Sequence, residues 1–452
     1  MFKKYVLTIV FAGFFLFLFA CSTPTENPPT ELSPAEAPTA ESGGIKLTTD
    51  GSGDYPDLEA AIAKAEAGET ITLEAGTYRL DETLEINKSI TLTGSGMEET
   101  LIVSNAAGAV LHFSGEGTYS LEGITVQHDG DTPAHAVLVD NGEIDFFNCR
   151  FNGSKGVSSD PKAGLTIRGN ATGTVKDCQV NNNMNAGILL AGNSNIVLEG
   201  NTCENNLGVG IVYQENAGGT ARSNVCTGNG EAGFYLDSNG EPLLEGNQCS
   251  QNGNEEVLGN GIMVRGKAIL KDNICNANKY AGIAFGGSAT GVATKNECSG
   301  NGLFGIYLEG EAAPTLEENT CNQNGTDNQG SGIAYFNNSG GTAKGNTLKE
   351  NKQDGIFVGS EAAPELIENL CNANTSFGIN YRGTQGGSAS KNMCGFNGQI
   401  GILVDMNSTP LLEENSCFSN QAGIYIVETA NPELVNNELF DNAQGDLVDL
   451  RP

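Results

Sequence analysis

The sequence predicts an all-β solenoid wound from coils of about 23 residues, and three observations carry that prediction. First, one register recurs: Phe151, Val180, Cys203, Cys226, Cys249, Cys275, Cys298, Cys321, Leu348, Cys371, Cys394, Cys417 and Leu439. Their successive spacings are 29, 23, 23, 23, 26, 23, 23, 27, 23, 23, 23 and 22 residues. Second, the neighbours of these anchors are fixed. An Asn lies two residues before them from Asn201 to Asn437, and another lies three after them from Asn183 to Asn442, Asn206, Asn229 and Asn252 included. Third, a Gly then introduces a short alternating run, such as Ile211-Val212-Tyr213 or Ile306-Tyr307-Leu308, and no helical period appears. The leucine-rich repeat frame is missing, so short strands between Asn and Gly corners imply three strands per coil. Asn and Gly suit such corners because both tolerate left-handed backbone.

The elements follow in order. Residues 1–20 read as a lipoprotein signal peptide: Lys3 and Lys4 precede the apolar run "YVLTIVFAGFFLFLFA", which ends before Cys21. The ending Leu18-Phe19-Ala20-Cys21 resembles a bacterial lipobox, which implies cleavage before Cys21 and lipidation of its thiol. Residues 21–44 are rich in Pro, Thr, Glu and Ser and read as a disordered tether between lipid and folded body. Residues 45–150 hold a capping helix near Asp57–Ala67 and irregular coils with runs such as "SITLTG" and "IDFFNCRF". Residues 151–445 are the regular coils, and 446–452 a C-terminal tail. A cap is needed because an open coil end exposes apolar surface and unpaired strand edges. Some sixteen coils at ~4.8 Å each give a rod on the order of 75 Å long.

With its "GTY" turn after the helix and its N-x-C repeats, the chain resembles the right-handed parallel β-helix of the pectin-lyase-like superfamily. The likeness is closest to the NosD-like and carbohydrate-binding/sugar-hydrolase repeat group. It covers residues from about 45 to 445. The expected fold is therefore an all-β, right-handed parallel β-helix with an N-terminal capping helix.

Apart from Cys21 there are eleven cysteines; nine occupy the ladder site, and Cys149 and Cys178 sit two positions earlier, at the Asn site. Val, Leu and Phe elsewhere in the ladder say that the site wants a small buried hydrophobe, which favours free thiols over disulfides or a soft-metal row. Three His, six Met and no C-x-x-C make a poor ligand set for copper delivery of the kind a NosD likeness suggests. No metal and no cofactor is expected. Motifs of the superfamily's lyases, hydrolases, esterases and epimerases (N-T-D, G-H-G, R-I-K, D-P-H-D) are absent. "QHDGDTPAH", Gln127 to His135, gathers His128, Asp129, Asp131 and His135, as an acid/base or metal site or as a polar surface loop.

A surface is the third candidate. In the strand after each Gly the first and third residues should face inward and the second and fourth outward. The outward positions carry Tyr235, Asp237, Arg265, Tyr307, Glu309, Phe357, Arg382, Asp405 and Tyr425, which form a candidate glycan-contact face. Asp237 should stack on Arg265, and Arg382 on Asp405. Insertions at "NGSKGVSSDPKAG", "NGNEEVLGNG" and "NGTDNQGSG" all bulge from one edge beside this stripe. The net charge of −32 argues against nucleic acid and against an unassisted anionic membrane. The expectation is a monomeric, lipid-anchored, extracytoplasmic binding or scaffold module of the bacterial envelope, with a polysaccharide or envelope component as partner. Two rivals stand beside it: a polysaccharide-modifying enzyme using Asp237, Arg265 and Glu309, and a NosD-like maturation factor.

Overall fold

The computed structural model describes residues 44–157, 160–326 and 329–452. The expected leader, its Cys21 and the tether up to residue 43 lie outside the described residues. Each regular coil is three strands with polar corners. Around the second asparagine pair they are Asn195–Glu199, Thr202–Glu204 and Val209–Glu215. Each pairs in parallel with its counterpart one coil on, so that Cys203 lies against Cys226 and Ile211 against Phe234. Among the described residues the first strands build a sheet of 17 and the third strands a sheet of 16. The second strands build runs of 7 and 5, joined by single bridges between Val225 and Thr347.

The inside is a set of side-chain columns. Ile211, Phe234, Ile262, Ile283 and Ile306 stack in one, the cysteines in another, and all are fully buried. The eleven described cysteines are unpaired thiols. Burial pushes the thiols of Cys275, Cys298 and Cys321 well above the usual range, so they stay protonated and inert.

The corners are held by two columns of asparagine. Asn206 donates its backbone N–H (3.1 Å) and one Nδ2–H (3.0 Å) to Oδ1 of Asn229, and its other Nδ2–H to the Val180 carbonyl (3.0 Å). Its own Oδ1 accepts the same pair of donors from Asn183. Every hydrogen-bonding site of the amide is thus used inside a buried corner. Left-handed backbone, expected at these asparagines, falls instead on the residue before each: Asn205 (φ 55°), Gln251 (58°), Ala277 (56°), Phe396 (55°). Such a conformation costs an ordinary residue on the order of 1 kcal/mol, and the three bonds donated by the adjoining rung outweigh it. Gly210 has no turn to make. A Cβ there would lie 2.7 Å from the Gly233 carbonyl oxygen and 3.0 Å from Asn229 Nδ2, so the glycine makes room for the ladder.

Upstream the ladder changes chemistry without breaking. Cys178 donates its N–H to Asn201 Oδ1 (3.0 Å), and its sulfur faces the N–H of Cys149 at 3.4 Å, where an amide oxygen stands in later coils.

The two ends are closed differently. The helix Leu58–Lys64 is shorter than the expected Asp57–Ala67 because Asp57 is its cap, accepting from the Ala60 N–H at 2.7 Å, and the chain turns at Ala65. Leu58, Ala61 and Ile62 cover the first coil. At the other end the expected tail begins as a strand: Gly445–Asp449 pairs in parallel with Ala422–Ile426. Asp446 accepts from Asn442 Nδ2 (2.9 Å), standing where the next asparagine would be.

Candidate functional site

The outer face of the 16-stranded sheet carries the chemistry that the repeat does not explain. Alternation turns the second and fourth residues of each strand outward, and the residue before each Gly shares that face. Five rings meet there. Phe304 stacks on Tyr307 (centroids 5.2 Å, planes 23° apart), Tyr280 meets both edge-on at 5.6 and 5.2 Å, and Phe336 joins Tyr307 (5.5 Å) to Phe357 (5.1 Å). All five are partly exposed.

Two open grooves flank this floor. One, of about 370 Å³, runs between Leu258, Met263, Tyr280, Tyr307 and Glu309; the other, of about 320 Å³, lies against Phe304, Phe336, Phe357, Gln353 and Arg382. The insertions supply rim residues to both: Leu258 and Asn260 to the first, Gln329 and Gly330 to the second. A third groove, of about 270 Å³, is lined by Lys162, Val209, Val212 and Glu231. The Tyr307 hydroxyl donates to Glu309 Oε2 at 3.0 Å. Burial, then Tyr280 and Glu309, push its pKa up, so it is a neutral donor and no base.

The stripe residues divide. Tyr307, Glu309 and Phe357 join the ringed floor, and Arg382 ends it, its Nε 3.3 Å from Asp405 Oδ2. The expected Asp237–Arg265 pair does not form. Arg265 lies across Gly286, where a Cβ would sit 3.1 Å from its Cζ, and reaches Glu309 at 3.6 Å. The missing side chain at Gly286 lets a long guanidinium span two coils, and Asp237 is left facing solvent. Tyr235 packs with Leu189 on a small outer cluster of Ala163, Ala186, Val209, Val212 and Ala232, apart from the five rings. Tyr425, between Leu403 and Val448 in register, is likewise separate.

"QHDGDTPAH" does not converge. His128 is buried, Asp129 pairs with Arg79 (2.9 Å), Asp131 with Lys155 (2.5 Å), and His135 turns into the 16-stranded sheet. Among the described residues no group of three or more His, Cys, Asp and Glu is arranged to hold a metal ion. His112 instead lies between Glu85 Oε1 (2.9 Å) and Asp140 Oδ2 (3.0 Å), with Arg168 on Asp140 at 2.6 Å. Burial would raise the Asp140 pKa, but the bonds from Arg168 and His112 prevail and lower it.

Sequence reasoning missed Tyr280, Phe304 and Asp354. Phe304 and Asp354 immediately precede Gly305 and Gly355, and that position is the signal that finds them. Asp354 is fully buried. Its Oδ2 accepts from Asn380 Nδ2 at 3.0 Å, while its Oδ1 and the Oδ1 of Asn380 have no partner. Burial raises its pKa to about 7 against the opposing effect of Asn380, the Phe377 N–H and Arg382.

Solved structures similar to the chain include the periplasmic alginate epimerase AlgG, with 12% identity, TM-score 0.38, and 87% of this chain and 83% of that one covered. The catalytic unit of the GH87 α-1,3-glucanase from Streptomyces thermodiastaticus shares 15% identity at TM-score 0.38, covering 89% and 70%. Tailspike protein 3 of bacteriophage CBA120 shares 12% at 0.43, covering 87% and 59%. No curated protein sequence matches. The family model for the right handed beta helix region matches residues 107–268, 232–369 and 326–450, well over half of the chain. With every described strand pairing in the three sheets parallel and the coils in a 23-residue register, the chain belongs to the right-handed β-helix family.

Proposed function

We propose that the outer face of the 16-stranded sheet, from Leu258 to Arg382, is a polysaccharide-binding surface. The observation that carries this is the five-ring floor between two open grooves on a protein of net charge −32. Aromatic surface left half-open on so acidic a molecule is costly unless a ligand covers it, and the C–H faces of sugar rings stack on such rings. Glu309, Gln353 and Arg382 at the groove rims offer acceptors and donors to hydroxyl groups. The charge favours a neutral polymer, or an acidic one bridged by cations.

The test is affinity electrophoresis through gels that each contain one of a neutral glucan, mannan, galactan or xylan, or a uronan with calcium. At least one polymer should retard the protein, and Tyr307→Ala and Phe336→Ala should each weaken retardation about tenfold or more. Unchanged retardation in both variants removes this face from the reading. Shortened polymer products would move the protein to the rival class, an enzyme.

The N-terminal "LFAC" supports placing this surface at the bacterial envelope through a lipid on Cys21. Cys21→Ala should then shift the protein from the membrane to the soluble fraction; equal membrane retention of that variant would count against the anchor.

A further inference from the structure

We infer that Asp354 and Asn380 form a hydroxyl-binding pocket off the second groove, one that accepts two O–H donors from a neutral sugar ring. This rests on the polysaccharide-binding reading and deepens it. The pair sits on the outer face: in the strand register the buried Ser331 precedes Asp354, with Phe304 and Ala281 beyond it, and Phe377 and Ile400 follow it. Both side chains are fully buried. Their mutual bond uses Oδ2 of one and Nδ2 of the other; the neutral acid can give its own proton to Asn380 Oδ1, but once the carboxyl is ionised the two Oδ1 atoms are left without a donor.

A buried acceptor left bare is costly, and two together, once the carboxyl is ionised, point to donors that arrive from outside. The second groove is where they arrive. Gln353, Phe357 and Arg382 line it and bracket the pair in sequence. Neither Asp354 nor Asn380 lines the groove; Phe357, partly exposed and paired with Asn380 in the strand register, stands at its edge, so entry requires displacement of that ring. A sugar supplies both halves of the match: hydroxyl donors for the two oxygens and a C–H face for Phe336 and Phe357. A uronate would bring another acceptor to a place that already has two.

Donors to the carboxyl favour its ionised form, so binding is accompanied by loss of a proton as the pH passes neutrality. The charged group that acts on Asp354 is Arg382 on the same strand as Asn380, itself paired with Asp405 on the next.

The experiment runs the full chain through gels of the neutral glucan, mannan, galactan and xylan, at steps between about pH 5 and pH 8. Retardation of the wild type should strengthen with pH. Asp354→Asn, which keeps the shape and puts an N–H₂ where the bare oxygen was, should weaken retardation about tenfold and flatten its pH dependence. An Asp354→Asn protein retarded like the wild type, with the same pH slope, overturns the pocket, and so does loss of retardation when the wild type shows no slope. Sensitivity to Tyr307→Ala and Phe336→Ala alone would leave the aromatic floor standing without the pocket. If the wild type is retarded only by the uronan, the pocket's ligand class fails; if by no polymer, both readings fall.

Discussion

Two buried ionisable side chains set opposite flanks of the pH dependence. Asp354 has a folded pKa of about 7 against an ordinary value of 3.8, so the folded chain holds the proton more tightly than the unfolded one. Its contribution is full below the ordinary value and is lost as the pH rises from about 4 to about 7, a change of roughly 4 kcal/mol. His135 runs the other way. Burial, then Lys162, lower its pKa from 6.5 to about 4, and its Nδ1 accepts from the Ala163 N–H at 3.1 Å, which leaves the proton on Nε2. Stability from the neutral ring is full above pH 6.5 and is lost as the pH falls toward 4. Asp354→Asn should therefore raise the urea midpoint near pH 8 and leave it unchanged near pH 4, as followed by circular dichroism. A gain of equal size at both pH values would show that the carboxyl's ionisation is not the cause. Neither residue's state was legible in the sequence. Asp354 looks like any acidic residue before a Gly, and only its burial under the outer-face side chains makes it unusual.

At the scale of the corner, the asparagine columns are where the sequence speaks most plainly. An amide repeated at a fixed place can satisfy itself only by stacking on its copies, so the recurrence of Asn206, Asn229 and Asn252 already contained the hydrogen bonds that hold them. What the recurrence hid was the residue beside each rung, where Glu, Lys, Ala and even Phe take left-handed backbone that composition would reserve for Gly. Removing one rung exposes several groups at once. Asn229→Ala strips the acceptor from both donors of Asn206 and the donor from the Cys203 carbonyl, at a cost of about 2–4 kcal/mol. Asn224→Cys should cost less than Asn224→Ala, because a sulfur already serves the ladder at Cys178. Chemical denaturation of the two Asn224 variants decides the point; equal losses would mean that the sulfur is only a space-filler. The aromatic floor was half legible by the same logic. Tyr307 and Phe357 fall on the outward positions that alternation assigns, whereas Phe304 and Tyr280 come from the strand's entry, which a period of two does not number.

Over the whole molecule, each coil touches its neighbours and little else, so stability accumulates along one axis. The repeat made this architecture predictable. The pairing of Arg265 with Glu309, two coils apart, was not, because it depends on the absence of a side chain at Gly286 in the coil between them. The same axis hides the thiols. With all eleven described cysteines buried and unpaired, a thiol reagent should label none of them in the native protein and all of them in denaturant. Fewer than about half reacting in denaturant would mean that disulfides form. The direction of the ladder has one more consequence. In every rung from Asn183 to Asn420 the side-chain oxygen faces the preceding rung and one Nδ2–H is donated to the next, toward the C-terminal coil. The column is therefore electrically polar, with its positive pole at the last rung. A carboxylate at Asp446 neutralises that pole as an acidic residue does at the start of an α-helix. A carboxylate has no proton to hand on, and so the polarity of the rod ends inside the chain that creates it.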